Sequence, residues 1–305
     1  MLNPPLSLLS EDLLYYIVDH VARLSFSNSN LCNLSITDRA FTQLCQAYIL
    51  KDLCLGYDSG IGNNISKKLA QIRNVLNDKP SFANRVRTVH LTVIHKQNKW
   101  LFDDPNFITI IELLAKSRMP PHKLHLTGGF LRGIFHSYTI DHPILVVGWL
   151  MQSFFSQTLT SLDINDCMNV PLTLFLVCPN LREVYLDEVK VLESRDHDEY
   201  PDSQCSGREL PALERLNYRN SGSLIKQMIT PPPKFSMAVV VWSKLRVLML
   251  CPEEEEGMLY LQPILDAACN TLEELYLTNE QVTWYLDGKM WSFLSIRHKF
   301  DKIIN

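Results

Sequence analysis

The chain has no CxxC pair, no G-x-S-x-G pentapeptide, no P-loop and no apolar run of membrane-spanning length. Each absence removes a function class. The longest apolar stretch, "PILVVGWLMQSFF" at 143–155, falls short of the ~20 residues that a spanning helix needs and is expected to be a buried helix. The opening "MLNPPLSLLSEDLL" lacks a basic region and sets two prolines and two acids before any long apolar run. A secretory signal is therefore not expected, and the predicted address is cytoplasmic or nuclear. A basic stripe is missing too: 29 Lys and Arg face 33 Asp and Glu, the net charge is -4, and the cations are scattered. Protein partners are expected, with no nucleic acid and no membrane.

Tight cysteine spacings are also lacking. The eight cysteines (Cys32, Cys45, Cys54, Cys167, Cys178, Cys205, Cys251 and Cys269) have a nearest separation of nine residues. They are expected to be reduced and buried rather than a disulfide framework or a zinc site. His122 and His125 form an HxxH, but on a strand-like segment they point to opposite faces and cannot share a metal. "GYDSG" at 56–60 misplaces the serine of a nucleophile elbow, and "GIGNNISKK" lacks phosphate-loop spacing, so both are assigned to a linker. A cysteine nucleophile would need a histidine brought close in the fold, and Cys167, Cys178 and Cys269 sit at apolar repeat positions that predict burial. The run "PEEEE" at 252–256 is expected to be a solvated loop, with contact to a basic segment as a second use. No catalytic residue, metal or cofactor is assigned.

What is present begins with helix signals. In "SEDLLYYIVDHVARL", Ser10 can cap a helix whose first turn carries Glu11 and Asp12, and Leu13, Leu14, Ile17, Val18, Val21 and Leu24 make one apolar face. After the polar break "SFSNSN", Leu31, Leu34 and Ile36 lead to Thr37 and Asp38, which can cap a helix carrying Phe41, Leu44, Cys45, Tyr48 and Ile49. Three short helices in about fifty residues bury only ~60% of their unfolded surface, so their apolar faces need a partner or the following domain.

"LSLLSEDLLYYIVDHV" followed by "CNLSITDRAFTQLCQAYILKDLCL" resembles an F-box, of the kind found in fungal F-box proteins. Leu9, Glu11, Leu13, Leu14, Ile17, Leu34, Ser35, Ile36, Arg39 and Phe41 occupy the motif's positions. Ser10 replaces the usual proline, Asp38 replaces the cysteine before the arginine, and Leu50 is the nearest apolar substitute for a later tryptophan. The resemblance implies docking on a Skp-type adaptor, and through it a cullin, by Leu9, Leu13, Leu14, Ile17, Leu34, Ile36, Arg39 and Phe41. Leu44 and Cys45 are expected to hold the module together.

Beyond a linker and a helical pattern from Ile65 to Leu76, an LxxLxL unit recurs at Leu159, Leu181, Leu213, Leu245 and Leu272, with weaker copies at Val86 and His122. The middle apolar residues Val89, Leu124, Leu162, Val184, Leu216, Leu248 and Leu275 are 35, 38, 22, 32, 32 and 27 residues apart. Helical runs such as "NFITIIELLAK", "PLTLFLVC" and "YLQPILDAAC" fill the intervals, so strand and helix alternate. This resembles an irregular leucine-rich-repeat solenoid, with parallel strands on one wall and helices on the other. The expected class is α/β, divided into 1–56 (F-box), 57–85 (linker and connecting helix) and 86–305 (repeat domain with a C-terminal cap). The competing architecture is a non-repeating α/β domain. Surface loops are expected at 193–209 and at "TPPPKF", and "WYLDGKMWSFLSIRHKFDKIIN" is expected to cap the last repeat.

Period-two alternation sends the LxxLxL residues inward and leaves His90, His125, Asp163, Tyr185, Asn217, Met249 and Tyr276 as an outward column. Bracketed by Glu183, Arg215, Arg219 and Glu274, the column has the composition of a protein-binding face, and His125 to Tyr276 are the candidate substrate residues. The resemblance implies a non-enzymatic substrate receptor of an SCF-type cullin-RING ubiquitin ligase. The alternatives are an interaction scaffold outside a ligase and, more remotely, an enzyme of unrecognised type.

Overall fold

The computed structural model describes residues 9–23, 27–56, 65–92, 100–128, 146–168, 170–191, 209–231, 238–251, 260–278 and 295–299. Three helices come first: α1 (Glu11–Ala22), α2 (Ser27–Thr37) and α3 (Arg39–Ile49). Ser10 Oγ accepts from Leu13 N at 3.4 Å and Asp38 Oδ1 accepts from Ala40 N at 2.8 Å, so both expected caps satisfy orphan amides. The polar break is shorter than the sequence suggests, because Ser27–Asn30 already belong to α2. The three helices close around Leu14, Val18, Leu31, Phe41 and Cys45, and Tyr48 donates to Asp19 to tie α3 to α1 at 3.1 Å.

The rest is α/β, built on one sheet whose spatial order is its chain order. The strands are β1 (Asp52–Gly56), β2 (Thr88–Thr92), β3 (Lys123–Thr127), β4 (Ser161–Asn165), β5 (Glu183–Asp187), β6 (Arg215–Arg219), β7 (Val247–Cys251), β8 (Glu274–Thr278) and β9 (Ser295–Lys299). β1 to β8 are parallel, and β9 closes the far edge antiparallel to β8. β9 is the described part of the C-terminal segment expected to act as a cap. The expected loops at 193–208, 232–235 and 252–256 and the linker at 57–64 lie outside the described residues.

All seven LxxLxL copies are strands, and their middle residues stand on one rung line, Val89, Leu124, Leu162, Val184, Leu216, Leu248 and Leu275. One strand was missed. Leu53 begins the same line at β1, so the last five residues of the 1–56 segment belong to the sheet, and the division at 56 must move back to about Lys51. "LKDLCL" at 50–55 is itself an LxxLxL, but it follows α3 directly and its apolar pattern also continues the tail of the helical motif.

Helices α4 (Ile65–Asp78), α5 (Trp100–Asp103) and α6 (Pro105–Ala115), and the helical segments 173–176, 222–229 and 261–268, lie between strands. Asp104 caps α6 by accepting from Asn106 N at 2.8 Å, with Pro105 at the first helical position. Phe107, Ile110, Ile111 and Leu114 of α6 then bury with the inward strand residues in one continuous core. The expected buried helix at 143–155 is described from Val146 to Phe155 as a π-helical segment, with Leu150, Met151 and Phe155 buried. Each fully buried aliphatic side chain contributes about 2 kcal/mol of transfer free energy.

Strand ends repeat as well. The residues after β4, β5 and β6, Asp166, Glu188 and Asn220, all have left-handed φ of 48 to 53°. The chain then turns inward at Cys167, Val189 and Ser221, which are buried. There Ser221 Oγ accepts from Val189 N at 3.0 Å and donates to Arg219 O at 2.7 Å, satisfying backbone that the turn would otherwise orphan.

Gly56 ends β1 with φ +128°, and a Cβ there would stand 2.0 Å from the Thr92 carbonyl oxygen. Gly56→Ala should therefore destabilise the protein by about 2–3 kcal/mol in urea unfolding. A wild-type midpoint would contradict the placement of β1.

Candidate functional site

Two surfaces combine exposure with chemistry. On the strand wall, the register aligns Cys54, His90, His125, Asp163, Tyr185, Asn217, Met249 and Tyr276, one side chain per strand. Every expected member of the outward column is there, half-buried by its neighbours, and Cys54 extends it at the exposed edge strand. The sequence signal for Cys54 is ambiguous, because "LKDLCL" directly follows α3.

The wall is electrostatically zoned. His125 Nδ1 meets Asp163 Oδ2 at 2.8 Å, the His90 and His125 rings are 5.1 Å apart, and His90 Nε2 lies 4.0 Å from Asp52 Oδ1. Burial, and then the neighbouring His125, lower the His90 pKa below its ordinary 6.5. Towards the other end the column turns aromatic and apolar. Tyr276 OH donates to Glu274, and burial followed by the Glu183 charge pushes the Tyr185 phenol up. Arg219 grips Asp187 with two bonds of 2.5 Å, and Asn165 Nδ2 donates to Asp187 Oδ2 at 3.4 Å. Such a wall can hydrogen-bond an extended chain at one end and pack against it at the other.

Along the rim where the strands begin, Arg182 pairs with Glu214 at 3.3 Å and Arg246 with Glu273 at 2.8 Å. These pairs line an open groove of about 570 Å³ with Pro179, Lys244 and Thr271.

The helical unit is the second surface. Of the eight residues expected to meet an adaptor, Leu14 and Phe41 are instead buried in the three-helix core. So small a unit spends its best-placed apolar side chains on its own interior. Leu9, Ile17 and Leu34 are half-buried against that core, and Arg39 is exposed. Leu13 (43% exposed) and Ile36 (83%) stand out, and Tyr15 (49%) and Tyr16 (69%) join them without having been anticipated. Leu44 and Cys45 hold the module together as expected.

Among the described residues, no cluster of three or more His, Cys, Asp or Glu is arranged to hold a metal, and no helix is long and apolar enough to cross a membrane. Cys167 and Cys178 are buried, with burial pushing the Cys178 thiol up to about 12, far from a reactive thiolate. The expectation of burial fails at Cys32, Cys54 and Cys269, which are exposed, Cys269 because it follows directly on the end of the 261–268 helix.

His90 should titrate with an NMR midpoint below 6.5. Because its folded pKa lies below the unfolded value, its share of stability is complete above that pH and is lost as pH falls through the folded pKa. His90→Gln should therefore flatten the acid limb of stability against pH, and a midpoint at or above 6.5 would contradict the His90–His125 geometry. No protein-family model matches the chain, and no curated protein matches it.

Proposed function

We propose that the chain is the substrate-recognition subunit of an SCF-type cullin-RING ubiquitin ligase in the cytoplasm or nucleus. In this reading the helices α1 to α3 are an F-box that docks on a Skp-type adaptor, and the sheet with its helices is an irregular leucine-rich-repeat solenoid that holds a protein substrate. The observation that carries it is the pairing of a separately cored three-helix unit, apolar on its outside, with a wall of in-register strands. The chain has no catalytic role here. It brings substrate close to the charged ubiquitin carrier.

Leu9, Leu13, Ile17, Leu34, Ile36 and Arg39 would meet the adaptor, with Leu14 and Phe41 supporting them from behind. Exposed apolar side chains on a charged surface are what a standard-size interface of roughly 1,200–2,000 Å² uses as anchors. On the wall, Tyr185, Met249 and Tyr276 supply the anchors, and His125, Asp163 and Asn217 supply polar contacts.

Leu13→Asp with Ile36→Asp should weaken adaptor binding by about thirtyfold or more while leaving the melting temperature unchanged, since both side chains are exposed. Phe41→Ala should instead destabilise the helical unit by about 3–5 kcal/mol. Tyr185→Ala with Tyr276→Ala should abolish substrate capture and spare the adaptor. A pull-down of adaptor and cullin with the full chain and with residues 51–305, which keep β1 in the sheet, separates a ligase subunit from a scaffold outside a ligase. Equal recovery of adaptor by both would overturn the F-box reading.

A further inference from the structure

The residues preceding the strands form a row of their own, because the carbonyl of each accepts the first two amides of the next repeat. Lys51 O takes Arg87 N and Thr88 N at 2.8 and 3.1 Å, and Arg87 O takes His122 N and Lys123 N, both at 3.1 Å. Side chains at neighbouring places in this row are therefore about one strand spacing apart, ~4.8 Å. Over the later strands opposite charges neutralise one another, as Arg182–Glu214 and Arg246–Glu273.

Over β1 to β3 the row is different. Lys51, Arg87 and His122 follow one another, and among the described residues none has a carboxylate partner. The nearby carboxylates belong to the outward wall: Asp163 lies 2.8 Å from His125 and Glu183 4.0 Å from Lys123, and Asp52, in phase with Cys54, lies 4.0 Å from His90 Nε2. Arg87 donates to the Met119 carbonyl at 3.1 Å, a neutral acceptor that leaves its charge uncompensated. The same loop brings exposed Arg118 to the rim, its N–H donating to Asn84 Oδ1 at 2.9 Å, and leaves Met119 54% exposed. The field is positive enough to act on His122, whose pKa is lowered by burial and then by Lys123, Arg87 and Lys51, with Glu183 opposing.

We infer that this rim, whose cations are Lys51, Arg87 and Arg118 with His122 among them as a neutral hydrogen-bonding group, binds an acidic extended segment of a protein partner. Carboxylates on alternate residues of such a segment recur every ~7 Å, close to the span of one to two strand spacings, so successive carboxylates reach successive cations. Exposed Met119 offers apolar contact between them. The site lies at the strand starts, apart from both the outward wall and the helical face, so it stands or falls independently of the adaptor and substrate reading.

The test uses the full chain and a fluorescent peptide of about twelve residues alternating glutamate with serine, beside the same peptide with glutamine in place of glutamate. Anisotropy should show binding of the glutamate peptide alone, weakening as salt rises from about 50 to 300 mM. Arg87→Glu, or Lys51→Glu with Arg118→Glu should Arg87→Glu disturb folding, should reduce affinity by about tenfold or more. Arg182→Gln, whose residue is already neutralised by Glu214, should leave it unchanged. Equal binding of the two peptides, no binding of either, or equal losses in the rim and Arg182 variants would each overturn the proposal. Adaptor capture, measured in the same samples, is expected to be unaffected by all of these variants.

Discussion

One backbone arrangement, repeated from strand to strand, carries the sheet. The carbonyl just before each strand from β1 to β7 accepts two amides from the next, at 2.8–3.1 Å, and the parallel ladder continues from there in constant register. Because the offset never changes, a residue's place within its five-residue strand decides whether it meets the core, the wall or the rim. From β1 to β8 the inward places hold aliphatic residues, with the buried Tyr218 of β6 as the exception, and burial stabilises each of them. Outward places put side chains within ~5 Å of their counterparts, so charge on one strand constrains charge on the next. The bidentate Arg219–Asp187 contact and the His125–Asp163 pair are direct consequences of that spacing.

The ends of the stack obey the same constraint differently. β9 lies antiparallel on β8, so that edge is satisfied by the chain itself. At the other end, α3 runs into β1 with only two residues between them, and Arg85 reaches Gln46 at 3.4 Å. The helical unit nevertheless keeps a core separate from that of the sheet, with five buried residues in it. So few buried side chains cannot cover three helices, and Leu13, Tyr16 and Ile36 remain at the surface for that reason.

Much of this was legible in the residues. Seven strands could be placed from LxxLxL, and the column from His90 to Tyr276 followed because alternation along a strand is a local rule. The caps at Ser10 and Asp38 were equally local. β1 was not legible, because "LKDLCL" satisfies a helical motif's tail and a strand's pattern at once, and only pairing with β2 distinguishes them. The adaptor set was divided for a similar reason. Leu14 and Phe41 carry the same apolar signal as Leu13 and Ile36, yet the first two face other helices and the last two face outward.

By itself, then, the sequence determined the periodicities: alternation at strands, three-to-four spacing at helices, and the caps between them, all set by neighbours along the chain. Tertiary structure alone decided the register that places His90 beside His125, and the matching of Asp52, Asp163 and Glu183 to some bases while Lys51, Arg87 and His122 have none. It also decided which of several similar apolar residues were left uncovered. The register and the ion pairs depend on contacts between residues 35 to 60 positions apart, and periodicity within one segment carries no information about its partner's.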